Sequence, residues 1–118
     1  MRGVARSSQT MPGEQCIAAS ASLAKAFEFL GKRWNGVVLG TLSEGAAGFR
    51  ELSRAIGGIS DSMLSDRLSD LARAGLIERT IEPGPPVSVT YALTDRGQAL
   101  VPALEQIALW AREHLPGA

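Results

Sequence analysis

Short polar side chains recur along one stretch of the chain, ISDSMLSDRLSDLARAGL from Ile59 to Leu76, in a pattern suited to hydrogen bonding in a groove rather than to bond making. Ser60, Ser62, Ser65 and Ser69 carry hydroxyls that both donate and accept, and Asp61 and Asp66 carry acceptors, of which an aspartate suits the cytosine amino group. Arg67 within the stretch, Arg50 before it and Arg79 after it supply cations for phosphate oxygens. Together these residues form a candidate surface for double-stranded DNA. Carboxylates repel phosphate, however, and residues 60–73 set Asp61, Asp66 and Asp70 against only Arg67 and Arg73. Affinity must therefore draw on a helix dipole and on neighbours such as Arg50, Arg54 and Arg79. By helical angle Arg67 lies close to the apolar face, where a phosphate contact and an internal salt bridge are equally open to it.

The same stretch contains the signals that would hold those groups in place. Ser60 sits where an N-cap belongs, Asp61 puts negative charge at the positive end of the helix dipole, and Gly75 is a stop signal. Leu64, Leu68 and Leu71 recur at i, i+4 and i+7 and so lie within about 60° of one another, facing a core and leaving the serines outside. Upstream, Phe49, Leu52 and Ile56 mark a brief helix closed by Gly57-Gly58, which completes a helix-turn-helix pattern. Ala46 to Gly48 before it reads as a linker or a short edge strand. Downstream, Leu76 to Glu82 reads as a strand, and Val87, Val89, Tyr91 and Leu93 alternate with Ser88, Thr90 and Ala92. Pro83-Gly84-Pro85-Pro86 joins the two as a turn. A hairpin directly after such a helix is either a wing or simply a cover for the core.

Helical spacing also predicts a first helix over Ser20 to Leu30 (Leu23, Phe27, Leu30) and a second with Trp34, Val38 and Leu42 on one stripe. Thr94 caps a last helix that runs through Pro102 to about Leu115. In that helix Leu100, Leu104, Ile107 and Ala111 form a stripe, yet Val101, Leu109 and Trp110 project outside it. So wide an apolar circumference implies a second contact, most simply with another copy of the chain. The expected dimer interface is Leu23, Phe27, Leu100, Leu104, Ile107, Leu109 and Trp110. The fold class that results is mostly α with a small β-hairpin wing, a winged helix-turn-helix that is dimeric through its terminal helices.

A chain of 118 residues fits one domain. Residues 1–15, which contain Gly, Ser and Pro and few large apolar residues, are expected to form a mobile arm, with Arg2 and Arg6 as further cations, and residues 16–118 the folded domain. With 12 basic and 12 acidic residues the formal charge is zero, so DNA binding would rest on local placement and not on an overall basic excess. No apolar run is long enough to span a bilayer and residues 1 to 15 lack a signal-peptide core, so a cytoplasmic location is expected. Cys16 is the only cysteine and His114 the only histidine. They leave no intrachain disulfide and no Cys/His metal cluster, and no cofactor is expected. An enzyme is disfavoured as well, since there is no Gly-rich phosphate loop and the acids pair with arginines along helices. Trp34, Phe27 and Trp110 would suit a small-molecule effector, although aromatic residues at helical spacing are core more often.

Taken in order, Leu30-Gly31-Lys32-Arg33-Trp34, Phe49-Arg50-Glu51-Leu52, Gly58-Ile59-Ser60 with Leu64, Arg67-Leu68 and Leu71, Gly75-Leu76, Pro86, Val89-Thr90-Tyr91-Ala92-Leu93-Thr94, Gly97 and Trp110 make a specific set. Over roughly Phe27 to Trp110 the chain resembles the HxlR family of winged helix-turn-helix transcriptional regulators, relatives of the MarR group. The resemblance implies a homodimer that binds an inverted repeat near the genes it regulates, most simply as a repressor. The chain departs from the family pattern at three places. Ala47-Gly48 stands where members often carry basic residues, and the wing tip from Glu82 to Ser88 has no Lys or Arg. The third departure is Cys16, which lies farther from Trp34 than the cysteine that serves as a redox sensor in some members. With no Lys or Arg between Pro12 and Ala24 to favour its thiolate, Cys16 is expected to be dispensable for DNA binding, a redox role being the rival. A winged-helix protein-interaction module without sequence-specific DNA binding is the alternative function, and the neutral net charge, the wing tip without basic residues and Ala47-Gly48 suit it.

Overall fold

A computed structural model describes residues 13–118, with side chains from Ser20 onward. The elements are α1 (Gly13–Leu30), α2 (Asn35–Leu42), α3 (Phe49–Ile56), α4 (Asp61–Arg73), β1 (Ile77–Glu82), β2 (Ser88–Leu93) and α5 (Asp95–His114). Among the described residues five helices and a two-stranded antiparallel hairpin make the expected mostly helical class with a β-hairpin wing. Two compact units divide the chain, one ending at Lys32 and containing α1, the other running from Arg33 to Ala118. Among the described residues no helix is long and apolar enough to cross a membrane.

Helix α1 begins at Gly13, earlier than Ser20, because Ala18, Ala19 and Ala21 are strong helix formers that extend the pattern set by Leu23 and Phe27. Of the arm expected over residues 1–15, residues 1–12, with Arg2 and Arg6, lie outside the described residues; Gly13, Glu14 and Gln15 are the first residues of α1. Cys16 also belongs to α1, its side chain lying outside the described residues.

The core of the second unit is built by Val38, Leu39 and Leu42 of α2, Leu52 of α3, Leu64, Leu68 and Leu71 of α4, and Leu76 and Ile77 leading into β1. Each such side chain contributes about 2 kcal/mol relative to an exposed one. Trp34 sits one position before α2 instead of within it. Its backbone is left-handed (φ 83°), an uncommon state for a residue with a Cβ, and the Arg33 guanidinium lies 4.8 Å from its ring centroid.

Residues Ala46 to Gly48 contribute a single bridge: Ala47 N–H donates to the Tyr91 carbonyl (3.0 Å) and Tyr91 N–H donates to the Ala47 carbonyl (2.8 Å). That bridge gives the hairpin a third, one-residue strand, so of the linker and the short edge strand open to this segment it takes a minimal form of the latter. Gly48 N–H then donates to the Glu51 carboxylate (2.8 Å), satisfying one of the unpaired donors at the start of α3. The hairpin register pairs Ile77 with Leu93, Arg79 with Tyr91 and Ile81 with Val89.

Candidate nucleic-acid interface

Both ends of α4 are fixed by local chemistry. Ser60 Oγ accepts from Met63 N–H (3.1 Å) as the N-cap. At the other end Gly75 is left-handed (φ 79°), its N–H donates to the Ala72 carbonyl (3.0 Å), and Leu76 N–H donates to the Leu71 carbonyl (3.0 Å). This is a Schellman ending, which satisfies carbonyls the helix leaves unpaired.

The start of α5 is clamped onto that ending. Thr94 caps α5 by accepting from Gly97 N–H (3.2 Å), and the same hydroxyl donates to the Gly75 carbonyl (2.6 Å). Thr94 N–H donates to the Leu76 carbonyl (3.0 Å), and Arg96 donates to the Ala74 carbonyl (3.0 Å). Gly97 is buried so close to the Leu76 carbonyl that any Cβ there would overlap the oxygen. The orientation of α4 is thereby tied to α5, a coupling between residues about twenty positions apart that no local pattern announces.

With Leu64, Leu68 and Leu71 buried, α4 presents Ser62, Ser65, Asp66 and Ser69 to solvent. Ser62 Oγ lies 3.4 Å from Ser60 Oγ. The candidate cations differ in their surroundings. Arg50 of α3 forms a two-pronged pair with Asp61 (3.2 and 2.9 Å), so the charge expected to face phosphate is partly engaged by the first turn of α4. Both side chains are well exposed, 67% and 57%, and such a pair is worth less than about 1 kcal/mol and is readily exchanged for a phosphate. Arg67 takes the internal role of the two open to it: it pairs with Asp70 at 2.9 Å and its side chain is only 14% exposed. Asp70 also holds Arg73. Arg79 faces α4 across a notch it shares with Ser65, Ser69 and Tyr91.

Beside the exposed Glu82, Ile81 and Val87 are also exposed near the wing tip. Of the residues expected to join two chains, Leu23, Phe27, Ile107, Leu109 and Trp110 are exposed, whereas Leu100 and Leu104 are half-buried. Phe27 (51% exposed) and Trp110 (54%) are thus exposed within a single chain and not the core residues that burial preference would make them. Sequence reasoning missed Val37, which is 50% exposed and, with Gly36 and Gly40, faces α5 across a groove of about 420 Å³ lined also by Val101, Leu104 and Ile107. The signal was present in two glycines one helical turn apart within an apolar helix. Among the described residues no cluster of His, Cys, Asp and Glu could hold a metal ion.

This arrangement matches known proteins closely. The profile of the HxlR-like helix-turn-helix family covers residues 29–118. The HTH-type transcriptional regulator YodB of Bacillus subtilis (strain 168) is 41% identical over 86 residues, 73% of this chain and 77% of that one. A quinone-bound structure of YodB from B. subtilis superposes with a TM-score of 0.68 at 34% identity, covering 79% of this chain and 98% of the other. A protein described as a MarR-family transcriptional regulator, from Porphyromonas gingivalis W83, superposes with a TM-score of 0.76 at 30% identity, over 90% of this chain and 99% of its own.

Proposed function

The chain belongs to the HxlR-like helix-turn-helix family of transcriptional regulators, and on that premise we propose that it is a homodimeric repressor that binds an inverted-repeat operator in double-stranded DNA. In this reading α4 enters the major groove and the hairpin lies against the backbone. The observation that carries it is the two-faced character of α4: three buried leucines and two capped ends hold a row of short polar side chains outward. Small hydroxyls allow the helix backbone to approach base edges closely, and Asp66 is the acceptor suited to a cytosine amino group. The activity is binding, not catalysis, and it takes place in the cytoplasm.

Homodimerisation is supported by the apolar groove between α2 and α5 and by the exposed Ile107, Leu109 and Trp110 beyond it. Leu23 and Phe27 on α1 add a second exposed apolar stripe. Stripes of this kind are usually covered by a partner. A small-molecule effector belongs to the proposal as well, in keeping with the quinone found on YodB. Cys16 is not needed for DNA binding in this reading.

One observation favours the alternative of a protein-interaction module, namely the exposure of Ile81 and Val87 near a wing tip that has no basic residue. Ionic strength separates the two functions. Binding to a duplex through phosphates should weaken by roughly a thousandfold or more between about 50 and 200 mM salt, whereas apolar contacts to a protein should barely respond. Fluorescence anisotropy of the dimer with labelled duplex DNA makes the measurement, and affinity for the duplex that does not fall with salt would transfer the assignment to the alternative.

A further inference from the structure

In a winged helix bound as proposed above, the DNA strand that separates the major groove from the next minor groove must pass between the recognition helix and the wing. The structure has a notch at that place. Ser65, Leu68, Ser69 and Ala72 of α4 form one wall, Arg79 and Tyr91 of the hairpin the other, enclosing about 280 Å³. Arg79 and Tyr91 are directly opposed in the hairpin register and therefore project from the same face of the ribbon. Tyr91 is further fixed by the double hydrogen bond of its backbone to Ala47.

The polar groups lining the notch are three hydroxyls and a guanidinium, with no carboxylate among them. Among the described residues no ion pair occupies Arg79, in contrast to Arg50, Arg67 and Arg73. Hydroxyls and a guanidinium together are the donor set that phosphate oxygens attract.

We propose that the notch is a seat for a single backbone phosphate, whose non-bridging oxygens accept from Arg79 and from the hydroxyls of Ser65, Ser69 and Tyr91. The site rests on the DNA-binding reading above and refines it. Ser65 and Ser69 become positioning residues that set how deeply α4 sits, and base reading is left to Ser62 and Asp66 on the outermost face. It also explains how a wing with no basic residue at its tip engages the backbone, through the base of the hairpin.

The test uses the full-length chain with two labelled duplexes of equal length, one enriched by selection and one of random sequence. Affinity for each is followed across salt, with circular dichroism confirming that each variant is folded. Arg79→Ala should weaken both duplexes alike, by about tenfold per half-site, and flatten the salt slope by roughly one unit per half-site. Arg79→Lys should restore the slope. Ser69→Ala, at an exposed position, and Tyr91→Phe, which keeps the ring, should each cost a few-fold on both duplexes and leave the slope and the preference between duplexes unchanged. A shift in sequence preference with Ser69→Ala, or an unchanged slope with Arg79→Ala, overturns the phosphate seat while leaving DNA binding intact. A parent protein whose affinity ignores salt overturns both readings, so the two failures are distinct.

Discussion

Ser62→Glu is expected to lower operator affinity by about a hundredfold while leaving the fold and the dimer intact. Ser62 lies in the first turn of α4, on its outermost face. A longer, charged side chain there would hold the helix away from base edges and repel phosphate. A lost base contact costs about 1–3 kcal/mol, so one such loss in each half-site gives roughly tenfold squared. The fold should respond in the opposite sense, because a carboxylate in the first turn interacts favourably with the helix dipole, by about 0.5 kcal/mol. Affinity measured by anisotropy and stability measured by thermal melting would therefore move in opposite directions. Unchanged affinity in a folded, dimeric variant would remove α4 as the reading element.

Ile107→Asp is expected to raise the dimer dissociation constant by at least about a thousandfold. Burying an unpaired carboxylate in an apolar contact costs several kcal/mol, and two-fold symmetry introduces it twice. Ile107 is the informative position because it is 49% exposed within a single chain, so the monomer should tolerate the change. Leu104, by contrast, is half-buried along the groove opposite α2, and Leu104→Asp would harm the fold as well as the interface. Sedimentation at micromolar concentration should show the parent at twice the chain mass and Ile107→Asp at the chain mass. If Ile107→Asp stays dimeric, the α2–α5 face is not the contact.

What was legible in the sequence was the chemistry that acts over a few residues. Ser60 and Thr94 as caps, Gly75 as the helix stop and the return strand each depend on neighbours within a turn or a strand; the caps and the stop stand where their residue types require, while the strand runs from Ser88 to Leu93, leaving Val87 outside it and without an alternating pattern of burial. Relations between distant residues were not legible. The Thr94 and Arg96 contacts to Gly75 and Ala74 span 19 and 22 positions. The Arg50–Asp61 pair spans 11, and helical angle alone could not say that Arg50 would be engaged. Arg67 shows the limit most clearly: its position at the edge of the apolar stripe left two roles open, and only the packing around Asp70 distinguishes them. Ser65 and Ser69 show it too, since a helical wheel places them on the polar side without revealing that the hairpin folds back to face them.

On the proposed reading, the coupling of α4 to α5 has a functional consequence. If α5 joins two chains, the Thr94–Gly75 clamp passes the geometry of that joint directly to the recognition helices, and the dimer sets the distance between half-sites. Selection of bound duplexes from a random pool by the full-length chain tests that account most directly. It should enrich an inverted repeat whose half-sites are centred about 34 Å apart, one turn of DNA, or a multiple of that. Enrichment of a single unrepeated site, or no enrichment at all, would contradict the account.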